Sequence, residues 1–335
     1  MTALAEPDGS ARGPTKPASA LSGLADRAPF AIACLMLALL ISVYAGLRAG
    51  VLSLEELNID TAAALPLLLA ATGQTIVLLR GGIDLSIGGM ISLGTVLAAT
   101  EFGDDPTRAL LWSILIVALG AFVGAVNGAL MTALRLQPFL VTLATWSILS
   151  GAALMILPTD GGALPAPWMA FGNAVWFGLS SSVWLLAALL AFWLWFDRTP
   201  LGFAVRASGS SEKSAFLSGV SPLFINVATY AISGAFAALA ALYLTTQTGA
   251  GSPTIGKDYI LPSVAAAVIG GISLYGGRGG LLGTIVGAYI LTIIGNLVFV
   301  LRISSYWQPI VSGVILLISV LASSIAEKSA RRSLT

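Results

Sequence analysis

The amino-acid sequence predicts an all-α integral membrane protein with about ten transmembrane helices. Composition, the spacing of charges and glycines at four-residue intervals carry that reading. The 335 residues are 57% apolar and 9% charged, with a mean hydropathy of +0.94. A soluble domain carries about 25% charged residues. So few charges cannot clothe a soluble globule of this length, which excludes a water-soluble enzyme first. Disordered and collagen-like chains fail on the same composition. A net charge of +1 gives no general reason to expect nucleic-acid binding. The single cysteine, Cys34, excludes an internal disulfide framework and a cysteine-rich metal site. The lack of histidine removes the commonest metal ligand and proton shuttle.

The charges mark the ends of the spans. A membrane helix needs roughly 20 mostly apolar residues. Runs of that kind predict helices near 30–47, 61–79, 87–100, 109–134, 138–157, 176–196, 223–246, 260–276, 280–301 and 306–325. The third and eighth are short and glycine-rich, so each reads as tilted, broken or re-entrant. With both ends cytoplasmic, twelve of the 16 Lys and Arg residues fall on inside segments, which favours N-in, C-in. Residues 1–29 are polar and Pro/Ser/Gly-rich and read as a disordered cytoplasmic tail, 30–325 as the polytopic domain, and 326–335 as a second cytoplasmic tail.

No ionisable residue falls near the middle of a predicted span. Proton-driven carriers generally need such a group inside the bundle, and a voltage sensor needs an Arg-rich span. The energy source is therefore expected outside this chain, although a sodium site built from carbonyls and hydroxyls stays open. The segment Gly251-Ser-Pro-Thr-Ile-Gly256-Lys257-Asp258 nearly fits a phosphate loop. Its last position is Asp, which lacks the magnesium-binding hydroxyl, and no strand precedes it. It reads as a Gly/Pro-rich external loop.

Two glycine-rich segments stand out. Arg80-Gly81-Gly82-Ile83-Asp84-Leu85-Ser86 follows the second helix. Its glycines break the helix, and Asp84 or Ser86 can cap the next one. Arg80 lies within reach as a partner. The segment reads either as a capped tight hairpin or as one that also lines an inner gate. Late in the chain comes Gly270-Gly271-Ile-Ser-Leu-Tyr-Gly-Gly277, and the two look like echoes in two halves, as an internal repeat would give. Gly270 and Gly271 join Gly81, Gly82, Asp84 and Ser86 as the gate motif. The stripes Gly120-x3-Gly124-x3-Gly128 and Gly283-x3-Gly287 suit close helix packing. Gln74, Asn127 and Asn296 are conspicuous amides in apolar spans. They would bond either a polar solute in a pathway or a neighbouring helix.

The largest inside loop runs over 197–222. Ser210 or Ser211 can cap a short helix of about seven residues from Glu212, which Gly219 ends and Pro222 forbids to continue. Ala215, Phe216 and Leu217 give it an apolar side, suited either to a docking partner or to its own bundle.

Here four ordered blocks come together: Gly81-Gly-Ile-Asp-Leu-Ser-Ile-Gly88, Gln137-Pro-Phe-Leu-Val-Thr-Leu143, the loop blocks Thr199-Pro-Leu-Gly202, Gly209-Ser-Ser-Glu212 and Leu217-Ser-Gly-Val220, and Val268-Ile-Gly-Gly-Ile-Ser-Leu-Tyr-Gly-Gly277. Over about 30–325 the chain resembles permease subunits of ribose/arabinose-type (monosaccharide) ABC importers. The resemblance implies a multi-pass bacterial inner-membrane subunit, paired with a second copy or a paralogue. It implies a cytoplasmic ABC ATPase that holds ATP and Mg, so that this chain carries no cofactor and no catalytic site. It also implies an extracytoplasmic solute-binding protein that usually delivers a monosaccharide. The ATPase-coupling role carries over by position to Glu212, Lys213, Ser214, Ala215 and Gly219. The family's Glu-Ala-Ala reads Glu212-Lys213-Ser214 here, so Glu212 and Gly219 alone match the core pattern. The expected function is ATP-driven import of a neutral ribose- or xylose-like sugar or related polyol, with an ion-coupled carrier as the alternative.

Overall fold

The computed structural model describes residues 20–304 and, beyond them, Trp307, Ile310, Val311, Gly313, Val314 and Leu317, with side chains from Pro29 onward. The expected tails over 1–19 and 326–335, and most of the expected tenth helix at 306–325, lie outside the described residues.

The first helix, α1 (Ala20–Leu47), starts inside the segment read as a tail. Its membrane-length apolar stretch begins at Pro29. Ahead of it, the run Ala20-Leu-Ser-Gly-Leu-Ala holds enough helix formers to prolong the helix. Next, α2 (Leu54–Arg80) starts earlier than the apolar run at 61, because Ser53 and Glu56 supply a helix start. The Ser53 hydroxyl accepts from the Glu56 N–H at 3.1 Å. Glu56 of the first turn and Asp60 further along are then engaged by neighbours. Arg48 pairs with Glu56 at 2.6 Å, and the Asn296 amide donates to Asp60 at 2.7 Å.

Helices α3 (Ser86–Glu101), α4 (Pro106–Ala133) and α5 (Pro138–Ile156) come next, close to their predicted bounds. The predicted helix at 176–196 begins later. A short helix α6 (Ala166–Gly172) and a two-residue hairpin, β1 (Val175–Trp176) with β2 (Leu179–Ser180), precede α7 (Ser181–Phe196). Phe177 and Gly178 both have positive φ, which turns the chain back where apolarity alone suggested helix. The loop read over 197–222 contains α8 (Pro200–Ser210) and α9 (Glu212–Leu217). Helix α10 (Pro222–Thr248) keeps to its prediction. Helix α11 (Lys257–Ile269) stops short of 276 because Gly271 turns into the left-handed region (φ +92), and α12 (Leu281–Val300) closes the described bundle.

Six of these helices are long and apolar enough to cross a membrane: α1 from Pro29, α2, α4, α5, α10 and α12. α7 with α8 qualifies only as a pair bent by 74°. The expected third, sixth and eighth spans are thus the shorter helices α3, α7 and α11. Burial separates centre from periphery: 89% of the apolar stretch of α2 and 67% of that of α10 are buried, against 11% in α1 and 22% in α4 and α5. α2 and α10 cross at Gly73 and Ser233, where a Cβ on Gly73 would lie 3.0 Å from the Ser233 backbone.

The stripe Gly120, Gly124, Gly128 serves packing. It faces α10, where side chains at these positions would collide with the backbones of Gly234, Tyr230 and Asn226. Small residues let two helix backbones touch, and dispersion between them replaces the hydrophobic driving force absent between apolar helices in lipid.

The two short helices have a common cause. α2 ends at Gly81, in the left-handed conformation (φ +90), and residues 81–85 turn back into the bundle. The Gln74 amide bonds the Asp84 backbone twice, donating to its carbonyl (3.0 Å) and accepting from its N–H (3.3 Å). Gln74 is six residues short of the end of α2, so Asp84 lies about 9 Å inside that end. α3 therefore starts within the bundle, and its 16 residues suffice for the remainder. α10 likewise ends at a left-handed glycine, Gly249 (φ +66), and 249–256 run down along α3. Thr95 donates to Ser252 (3.0 Å), and the Gly256 N–H reaches the Ser92 hydroxyl (3.1 Å). α11 then starts at depth as well. A long helix, a left-handed glycine, a re-entrant segment and a short helix thus occur twice. This pattern pairs Gly81 with Gly249, not with Gly270.

Gly124→Leu should push α4 off α10 and destabilise the fold by about 1–3 kcal/mol or more. The check is a lower melting temperature in detergent, with Gly151→Leu, where nothing lies within 4 Å of an added Cβ, as the neutral control.

Candidate functional site

The re-entrant hairpin gathers most of the polar residues singled out from sequence. Asp84 is fully buried. One of its oxygens accepts from the Ser86 N–H (2.9 Å) and the Ser86 hydroxyl (2.5 Å), the other from the Ser233 hydroxyl (2.7 Å). The carboxylate thus lies at the start of α3, where the first N–H groups and the helix dipole favour negative charge. Among the described residues no cation pairs with it. Asn127 of α4 donates to the Ser86 hydroxyl (3.1 Å) and accepts from Thr145 of α5 (2.6 Å). Thr142 donates to the Ile83 carbonyl (3.3 Å).

Gln74, Asp84, Ser86 and Asn127 therefore form one network across α2, α3, α4, α5 and α10. Gln74 and Asn127 are buried and hydrogen-bonded within the chain. Asn296 is elsewhere, on Asp60. Sequence reasoning missed Ser233, Thr142 and Thr145. Lone hydroxyls in apolar spans give no local signal, and the two threonines also bond their own helix, Thr142 to the Pro138 carbonyl (3.0 Å) and Thr145 to the Val141 carbonyl (3.0 Å).

At the same end of the bundle lies the 197–222 segment. Thr199 caps α8, its hydroxyl accepting from the Gly202 N–H (3.1 Å), and Pro200 takes the first helical position. That Thr-Pro pair was the signal for the missed helix. Arg206 fastens α8 through Asp197 and through the Gly279 carbonyl at 2.6 Å. Gly209 lies directly on the last turn of α2: a side chain there would collide with the Leu79 carbonyl and lie 2.7 Å from the Gly277 nitrogen. Gly277 itself donates to Leu79 at 2.8 Å.

Ser211 caps α9, its hydroxyl accepting from the Ser214 N–H (3.2 Å). Gly219 (φ +84) ends it, the Val220 N–H reaching back to the Ala215 carbonyl at 3.0 Å. Ala215 is buried, while Lys213 and Ser214 are exposed. Phe216 and Leu217 are 62% and 76% exposed. Arg80 does not pair with Asp84; it bonds Glu212 at 3.1 Å. Of the late glycines, Gly276 and Gly277 meet this cluster, whereas Gly270 packs on Gly283 of α12 and Gly271 on Pro29 of α1. The first glycine pair of that segment serves helix packing, and the second touches the hairpin.

The profile of a permease family, described as "Branched-chain amino acid transport system / permease component", matches residues 58–320. The chain belongs to this permease family. Among its relatives are the ribose import permease protein of Bacillus subtilis (strain 168), 35% identical over 261 residues that cover 76% of this chain and 80% of that one, and its counterpart in Escherichia coli (strain K12), 35% identical over 75% and 80%. The autoinducer 2 import system permease protein of Photorhabdus laumondii is 32% identical over 79% and 80%. No solved structure matches. The matched range takes in the permease's hairpin network and the whole 197–222 segment.

Asp84→Ala would leave two buried hydroxyls and the Ser86 N–H without their acceptor. A loss of about 1–3 kcal/mol for each group left unpaired is expected, against little for Asp104→Ala at an exposed position. Thermal unfolding of the two variants in detergent checks this.

Proposed function

We propose that this permease is the membrane-spanning subunit of an ATP-driven, binding-protein-dependent importer in a bacterial cytoplasmic membrane. Its solute is a neutral monosaccharide of ribose or xylose type, or a related polyol. ATP and Mg belong to a partner ABC ATPase. An extracytoplasmic binding protein brings the solute, and a second copy or a paralogue completes the pathway. N-in, C-in orientation puts α8 and α9 on the ATPase side.

The observation that carries this reading is the placement of α9. It is a capped, six-residue helix with Phe216 and Leu217 exposed, joined to the re-entrant hairpin through Glu212 on Arg80 at the end of α2 and through α8, whose Gly209 lies on Leu79 and Gly277. An exposed apolar pair on a short rigid helix suits a protein groove. The relatives support the solute class, since their names give ribose or autoinducer 2 import. A neutral solute also fits the site. Asp84 is fully buried and bonded by Ser86 and Ser233, so its carboxyl group is not presented to a passing ligand. The ATPase contact falls to Glu212, Lys213, Ser214, Phe216, Leu217 and Gly219, with Ala215 holding α9 to its own chain. The hairpin of Gly81, Gly82, Asp84 and Ser86 serves as the inner gate, held by Gln74 and Asn127.

In proteoliposomes with a cognate ATPase and ribose-loaded binding protein, uptake should require ATP. Ribose uptake by this chain alone, without ATP, would select an ion-coupled carrier instead. Leu217→Asp should weaken ATPase co-purification about tenfold or more, the scale of losing a buried apolar anchor. Undiminished co-purification would overturn the docking assignment.

A further inference from the structure

Arg80 is the last residue of α2, and its side chain is 12% exposed. Its ion-pair partner is Glu212, the first residue of α9, whose side chain is 60% exposed. The Arg80 Nε is buried and finds no hydrogen-bond partner among the described residues. The same holds for the Tyr230 hydroxyl, which lies so close to Gly82 that a Cβ there would collide with it. Asp84, four residues on, is engaged by hydroxyls and an N–H. The guanidinium therefore depends on Glu212 for its charge partner.

The two members of this pair are unequally free. A largely buried guanidinium deprived of its counter-ion is strongly disfavoured, whereas an exposed carboxylate is readily solvated. If α9 shifts, Arg80 is the member that must move with it. Arg80 in turn carries the last turn of α2 and then Gly81 and Gly82, the turn on which Ile83 and Asp84 hang. A second contact lies beside the first: Gly209 of α8 against the Leu79 carbonyl, which also accepts from Gly277. The backbone contact resists compression between α8 and α2. The ion pair resists separation of α9 from α2.

We propose that Arg80 is the positioning residue through which α9 sets the re-entrant hairpin, with the Arg80–Glu212 pair as the tension-bearing link. This deepens the proposed function and rests on it, since it takes α9 as the part a partner ATPase moves.

The test uses the full complex of permease, ATPase and binding protein in nanodiscs. A nitroxide at Ile83→Cys, in a Cys34→Ser background, reports the hairpin. In the parent complex, ATP should change the nitroxide spectrum. Arg80→Met and Glu212→Gln should each cut that change about tenfold, and with Arg80→Met, which lies outside the proposed ATPase contact, the ATPase should still co-purify and hydrolyse ATP. The double variant should be no worse than either single one, because both remove one link. Arg80→Lys, which keeps the charge, should retain much of the response. A full response in either neutral variant, or additive losses in the double, would overturn the link. If a neutral variant is poorly folded, Arg80→Lys with Glu212→Asp decides: a response that tracks the pair's geometry supports the link, and an unaltered one overturns it. A parent complex that binds no ATPase overturns the functional reading itself, and this inference with it. A parent that responds alongside fully responsive variants overturns the link alone.

Discussion

Non-helical backbone inside a membrane bundle must find its hydrogen bonds within the protein, and four side chains of this chain serve that demand around one carboxylate. Water is absent from the hydrocarbon region, so each unpaired backbone group there costs several kcal/mol. The Asp84 peptide is satisfied by Gln74, the Ile83 carbonyl by Thr142, and the side chain by Ser86 and Ser233. This requirement draws α2, α5 and α10 to the hairpin directly, and α4 through Asn127. It also explains why α3 can be short and why polar side chains in four apolar helices point to one place.

The membrane helices were legible where a charge-free run coincided with a full span, as in α4, α5, α10 and α12. The starts of α2 and α8 were written as Ser53-x-x-Glu56 and Thr199-Pro200, but the hydrophobic run outweighed the first, and a polar surrounding hid the second. Depth was the illegible quantity. Gly81-Gly82 announces a break, but whether the chain then leaves the bundle or turns back some 9 Å into it, as Asp84 does, depends on what surrounds it. Gln74 and Asn127 illustrate the same limit. An amide in an apolar span bonds either a solute or a neighbour, and only the tertiary placement of Asp84 and Ser86 gives both residues protein partners.

The 197–222 segment shows how local rules and tertiary contacts divide the work. Ser211 and Gly219 set the limits of α9 by capping alone, so its length was readable from sequence. Its attachment was not. Arg80 was expected to serve Asp84, four residues away and of opposite charge. Asp84 instead lies at the first turn of α3 with N–H and hydroxyl donors around it, which leaves the arginine to Glu212, 132 positions along the chain. Proximity in sequence was outweighed by the dipole and hydrogen bonds of a helix start.

The seam between α4 and α10 has a further consequence. Side-chain interfaces can slide because rotamers exchange, but at Gly120, Gly124 and Gly128 the opposing surface is main chain. Two helices joined in this way have no soft coordinate along which to shear, so they travel as one rigid body. Changes of shape in this bundle then fall to the parts outside that body: the left-handed glycines at 81 and 249, the short helices they introduce, and α8 with α9.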